Sequence, residues 1–244
     1  MNVAVIFAGG KGTRMRSQGV PKQFLKVHGK PILIHTLEIF EKNKNIDKIV
    51  VACVEDWIDY CKNIIDEYDI SKVEGVVPGG STGQESIYNA LVKAKRIAWG
   101  RNNIVLIHDG VRPLIDSKLI NNCIDTVKEK GNAITCVQCK ETIVYCSNGK
   151  DIDSVITDRD SLLIARAPQC FYLDDILEAH NKARSEGINT FTDSGTLMSH
   201  YGHKLHTVIG KSENIKITTP DDYYIFKALL EAKENSDLFG FEEE

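Results

Sequence analysis

Apolar, strand-like runs alternate with helix-like ones along this chain, and that alternation restricts the fold more than any other feature. Residues 47–54, 72–77, 103–108 and 133–137 are strand-like, and residues 57–68, 84–97 and 118–130 between them are helix-like. Near-continuous apolar strands joined through helices bury both faces of their sheet. The pattern therefore predicts an α/β fold with a mostly parallel sheet and helices on both faces. Residues 3–7 read as a first strand. Residues 31–42 follow with Ile32, His35, Thr36 and Ile39 at helical spacing and Pro31 suited to the first turn. A length of 244 residues suits one such domain, taken as 1–234, with a tail at 235–244. Ligands of open α/β sheets sit beyond the carboxyl ends of the strands. The loops at 9–14, 78–86 and 108–113 all leave such ends and should converge on one face.

The first of these loops is Ala8-Gly9-Gly10-Lys11-Gly12-Thr13-Arg14-Met15, followed by Pro21-Lys22-Gln23. A strand emptying into a glycine-rich turn gathers backbone N–H groups into a concave anion site, and the glycines let a polyphosphate come close. Arg14 and Lys22 add two mobile cations. A plain strand-to-helix turn would account for the glycines, but not for the attached Arg-Met and Pro-Lys-Gln. The string G-x-x-x-x-G-K-[ST] is absent, which excludes a Walker loop. The third glycine of G-x-G-x-x-G is also missing, which disfavours a dinucleotide site. What remains is similar to the A-G-G-x-G-x-R-M…P-K-Q signature of nucleotidyltransferases.

Three further stretches carry chemistry. In Pro78-Gly79-Gly80-Ser81-Thr82-Gly83-Gln84-Glu85-Ser86, backbone groups of Gly80 and Ser81 with the Ser86 hydroxyl could bond the edge of a pyrimidine; a helix N-cap is the plainer alternative. In Ile107-His108-Asp109-Gly110-Val111-Arg112-Pro113, Asp109 ends an apolar strand. Facing a polyphosphate, it is a natural ligand for Mg²⁺, which takes one or two carboxylates plus phosphate oxygens; Arg112 would tie the loop down. Lys216 stands in a β-prone run at 214–218, with Ile215 and Ile217 facing the other way. It could reach the anion site or be an ordinary edge lysine. Residues 141–156 read as a hairpin arm turning at Ser147-Asn148-Gly149. A helix at 171–185, a strand at 205–209 and a last helix from Pro220 complete the chain.

A formal net charge of -4 argues against a nucleic-acid partner. No apolar run approaches a membrane span, and no leader is visible at the start. Seven cysteines, an odd number, read as reduced thiols of a cytoplasmic protein. Cys136 and Cys139 form a C-x-x-C with no second pair at zinc-site spacing.

Along nearly its whole length the chain resembles the CTP-dependent cytidylyltransferases that act on 2-C-methyl-D-erythritol 4-phosphate or D-ribitol 5-phosphate. The landmarks are AGGKGTRM, PKQF, PGGSTGQES, HDGVRP, the Thr142 region, Asp158-Arg159, APQCF, FTDS and ENIKITTP. The resemblance implies a Rossmann-like domain with a β-arm at about 139–157, and a homodimer formed through that arm. It implies that Arg14, Lys22 and Lys216 are catalytic and neutralise the triphosphate of CTP, and that Asp109 holds Mg²⁺. Ala8, Gly9, Gly10, Gly12, Gly80, Ser81 and Ser86 would bind the nucleotide. Thr142 and Arg159, from the other subunit, would grip the acceptor phosphate. Departures from the family pattern are Gly83 where an arginine is usual, Ala-Pro-Gln where Thr-Pro-Gln is commoner, and Ala-Gly-Gly at the start. These favour the ribitol branch, with CDP-ribitol and pyrophosphate as products for cell-surface polysaccharide. The alternative is the methylerythritol step of isoprenoid synthesis.

Overall fold

A computed structural model of the chain describes residues 1–10 and 19–239. β1 (Asn2–Ala8) runs through the middle of the main sheet. Val3, Ala4, Val5 and Ile6 of this strand are wholly buried, because helices cover both faces. After the small ribbon of β2 (Lys26–Val27) and β3 (Lys30–Pro31) come α1 (Ile32–Lys42), β4 (Lys48–Cys53), α2 (Ile58–Glu67) and β5 (Val73–Pro78). Then follow α3 (Gly83–Ile97), β6 (Ile104–Asp109), α4 (Ser117–Lys130) and β7 (Asn132–Gln138). Side chains alternate across the pleat. Ala4, Ile6, Ile49, Val51 and Leu106 pack under α1, α2 and α4. Val3, Val5, Val50, Ala52, Val105 and Ile107 face α3 and the later helices on the other side.

β8 (Ile143–Tyr145) and β9 (Ser154–Ile156) form a separate antiparallel arm. Its Ile143, Val144, Tyr145 and Val155 are exposed. The chain returns through β10 (Leu163–Tyr172), α5 (Leu173–Ser185), α6 (Ser194–His200), β11 (Thr207–Ile209) and α7 (Pro220–Phe239). The seven-stranded order is β11-β7-β10-β6-β1-β4-β5. The sheet is parallel except for β10, which lies antiparallel between β6 and β7. The expected mostly parallel sheet is the one found.

Two local expectations are corrected. The helix expected from residue 171 starts at Leu173, because Phe171 and Tyr172 belong to β10. There Phe171, fully buried, pairs with Val105 and Asn132. The β-prone run at 214–218 is irregular rather than a strand. It is pinned by the Ile217 N–H donating to the Val111 carbonyl at 3.0 Å. Ile217 then packs into a third apolar cluster with Val27, Ile32, Val111 and Phe226. At the chain end α7 runs on through the first residues assigned to the tail. Among the described residues no helix is long and apolar enough to cross a membrane.

Candidate active site

The end of β1 with Gly9, and the loops after β5 and β6, meet at the carboxyl edge of the sheet. Between the first two the approach is close enough to exclude a side chain. A Cβ on Gly9 would lie 2.7 Å from Ser86 Oγ, and one on Gly79 would lie 3.0 Å from Gly9 Cα. Glycine is needed here for proximity. Gln23, 1% exposed, donates from its side-chain amide to the Ala8 carbonyl at the end of β1 at 2.6 Å. Lys22 precedes it on a single 3-10 turn. Arg14 and Gly12 lie outside the described residues, whereas Ala8, Gly9 and Gly10 stand at the end of β1.

In the second loop Thr82 caps α3 by accepting from the Glu85 N–H at 3.1 Å. Ser86 Oγ accepts from the Gly80 N–H and donates to the Thr82 carbonyl, both at 2.9 Å. The Ser81 N–H and hydroxyl both donate to Glu85 at 2.8 Å. The Gly80 and Ser81 N–H groups are thus engaged inside the loop, and binding a base through them would mean exchanging these bonds.

The third loop holds the most charged point of the site. Asp109, 5% exposed, accepts from Arg112 Nε at 2.7 Å and lies 2.5 Å from Lys216 Nζ. Burial pushes this carboxyl up, but Lys216 and Arg112 together outweigh it and hold the group below its ordinary range. Arg112 Nη1 also donates to the Asn214 carbonyl at 2.9 Å, and Asn214 donates to the Ala167 carbonyl at 2.7 Å. Arg112 therefore does tie the loop down, and the tie reaches the segment that carries Lys216. His108 Nε2 stands 3.0 Å from the Arg112 carbonyl, and burial lowers this ring to about 4, so it is neutral at pH 7. One carboxylate against two cations leaves a net charge of +1. Lys216 is about two-fifths exposed and also sits 5.6 Å from the Phe7 ring centroid.

Asp109, Arg112 and Lys216 border a cavity of about 290 Å³. The same cavity is lined by residues to which sequence reasoning gives no role: Gln84 on α3, Arg166 on β10, His180 on α5 and Ser194 on α6. Arg166 lies where β10 slips register between Ala165 and Gln169, so the bulge aims it into the cavity. Sequence reasoning places no strand at Leu163–Tyr172, so nothing marks Arg166 in advance. Thr142 and Arg159 do not line this cavity. They stand at the exposed base of the arm, where Arg159 Nη1 donates to the Lys140 carbonyl at 3.3 Å. Among the described residues no three His, Cys, Asp or Glu side chains cluster as a metal site would require.

Residues 2–232 match the family described as IspD, 2-C-methyl-D-erythritol 4-phosphate cytidylyltransferase. The chain is 52% identical to the ribitol-5-phosphate cytidylyltransferase of Streptococcus agalactiae serotype V, covering 98% of this chain and 99% of that one. It is 42% identical to the 2-C-methyl-D-erythritol 4-phosphate cytidylyltransferase of Clostridium acetobutylicum, over 97% and 99% of the two chains. Among solved structures, the 4-diphosphocytidyl-2C-methyl-D-erythritol synthase of Anaerococcus prevotii superposes with a TM-score of 0.81 at 27% identity, covering 95% of this chain and 96% of that one. A glycine-walled loop junction beside a cationic cavity, on a sheet of this order, and a match running from β1 into α7 give one answer: the chain belongs to the IspD family of cytidylyltransferases.

Proposed function

We propose that this enzyme transfers CMP from CTP to D-ribitol 5-phosphate, releasing pyrophosphate and giving CDP-ribitol for cell-surface polysaccharide. The observation that carries the reading is the convergence of Lys216, Arg112 and Asp109 on a cavity beside the Gly9–Gly79 junction. The acceptor phosphate attacks the α-phosphorus of CTP. A phosphate dianion needs no general base, so the protein contributes positioning and charge stabilisation. Lys216 suits that role, because it is half-exposed and is held in place by a carboxylate it can exchange for a phosphate oxygen. Arg14 and Lys22 complete the triphosphate cradle in this reading. Gly80, Ser81 and Ser86 surround the cytosine in this reading, and Gly10 belongs to the cradle. Identity ten percentage points higher to the ribitol relative than to the methylerythritol relative (52% against 42%) supports the choice of acceptor.

Mg²⁺ fits the site as an ion shared with the nucleotide rather than one held by the protein alone. Asp109 offers a single buried carboxylate at the cavity border, and the other ligands would be phosphate oxygens. When bound, the ion supplies charge neutralisation at the phosphates. The enzyme acts as a homodimer in this reading, with the exposed apolar arm reaching a second copy and bringing Thr142 and Arg159 to its acceptor phosphate. Its substrate CTP and its seven free thiols support a cytoplasmic location.

The test is pyrophosphate release with CTP and Mg²⁺, offering D-ribitol 5-phosphate and 2-C-methyl-D-erythritol 4-phosphate in parallel. Preference for the ribitol compound by kcat/KM is expected. Preference for the methylerythritol compound would overturn the assignment and move the enzyme to isoprenoid synthesis.

A further inference from the structure

Polar side-chain atoms buried without a partner are rare in folded proteins, and each one calls for a reason. Among the described residues, three side chains lining the cavity that Asp109 borders have such atoms. Arg166 Nε, both ring nitrogens of His180, and Ser194 Oγ are buried and make no hydrogen bond. His180 is 1% exposed and Ser194 is 3% exposed, so water outside the cavity does not reach them. They come from three different elements, β10, α5 and α6, and they face one space.

That wall is also held rigid. Gln169 donates to Asp193 at 3.1 Å and accepts from the Gly195 N–H at 2.8 Å, fixing the start of α6 to β10. Gln84 donates to the Ile188 carbonyl at 3.0 Å and accepts from the Phe191 N–H at 3.0 Å, fixing the α5–α6 connection to α3. The neighbours are satisfied; the three cavity-facing groups are not.

From this arrangement we propose that Arg166, His180 and Ser194 form the subsite that reads the hydroxyls of the acceptor's carbon chain, and so determine acceptor specificity. The inference rests on the proposed acceptor being a polyol phosphate. The chemistry of the three groups matches such a chain. Arg166 Nε is a donor, and a serine hydroxyl both donates and accepts. Burial keeps the His180 ring neutral, so it offers one donor and one acceptor. Successive hydroxyls, each a donor and an acceptor, can satisfy all three, whereas a hydrocarbon cannot. Lys216 and these three groups line one cavity, so an acceptor whose phosphate reacts beside Lys216 has its carbon chain in the same space. A site built to bond hydroxyls rejects acceptors that lack them, because its own buried groups then stay unpaired.

The experiment measures pyrophosphate release by the full-length enzyme and by Arg166→Leu and Ser194→Ala. The acceptors are the polyol phosphate that the wild type prefers and the shorter sn-glycerol 3-phosphate. Each variant is expected to raise the KM for the preferred acceptor by about 10-fold or more while the KM for CTP stays within about twofold. The preference over glycerol 3-phosphate should shrink by a similar factor. Arg166→Lys, which keeps the charge but not the Nε donor, should behave like the leucine variant. An unchanged acceptor KM, or equal losses for CTP and acceptor, would overturn the subsite. Failure of the ribitol assignment shows separately, as the wrong preference in the wild-type enzyme.

Discussion

At the scale of single residues, the Asp109 triad separates two kinds of cation. Arg112 is 8% exposed and is fixed by both the carboxylate and the Asn214 carbonyl, so it belongs to the scaffold. Lys216 reaches the same carboxylate from a half-open position. Lys216→Ala should therefore lower kcat by about 10²–10³-fold, the cost of losing one preorganised charge-stabilising group. Asp109 keeps Arg112 as its counter-charge in that variant, so the thermal midpoint should stay close to that of the wild type. Asp109→Asn should behave differently, leaving a buried guanidinium with no counter-charge and costing roughly 3 kcal/mol or more. Steady-state kinetics and thermal unfolding on the two variants check this split. Equal destabilisation by both would contradict it.

Among elements, α6 shows how a short helix comes to bound a binding cavity. Seven residues are too few to hold themselves in water, so the helix depends on its cap and its contacts. Asp193 accepts from the Thr196 N–H at 2.7 Å with one oxygen and from Gln169 at 3.1 Å with the other. Asp193→Ala should cost about 1–2 kcal/mol in chemical denaturation and raise the acceptor KM more than that for CTP. Asp193→Asn, which keeps an accepting oxygen, should recover most of the stability. β10 sets the limit of what could be read beforehand. The buried strands β1, β4, β6 and β7 are nearly continuous apolar runs, and each is visible as such in the sequence. β10 carries Arg166 and Pro168, takes a register slip, and ends in Phe171 and Tyr172, which lead straight into a helix. Its polar and proline positions hide a strand at the sheet centre, and its apolar end passes for the helix that follows. The segment of Lys216 misleads in the opposite sense: Ile215 and Ile217 alternate like a strand, but a single backbone bond to Val111 and a pocket for Ile217 replace any ladder. The loop motifs at 78–86 and 108–113 are legible because they are local in sequence. The group of Arg166, His180 and Ser194 is not, because these residues meet only through the fold.

For the whole molecule, the arm is the feature that one copy leaves without a covering partner. Val144, Tyr145 and Val155 are roughly half exposed on a two-stranded ribbon, and such a ribbon is marginal by itself. Val144→Asp combined with Tyr145→Ser should shift sedimentation from dimer to monomer. It should also cut turnover at limiting acceptor, while leaving CTP binding in place. A monomeric wild type would remove the arm from the acceptor site. The sheet order has a separate consequence for how the protein is made. Strands β5, β4, β1 and β6 can pair as soon as residue 109 has left the ribosome. β7 has only β10 and β11 as neighbours, and both come later in the chain. Until residue 172 emerges, β6 presents a bare edge and β7 has no strand to join. Synthesis thus passes through about sixty residues during which a half-built sheet must avoid pairing with other chains.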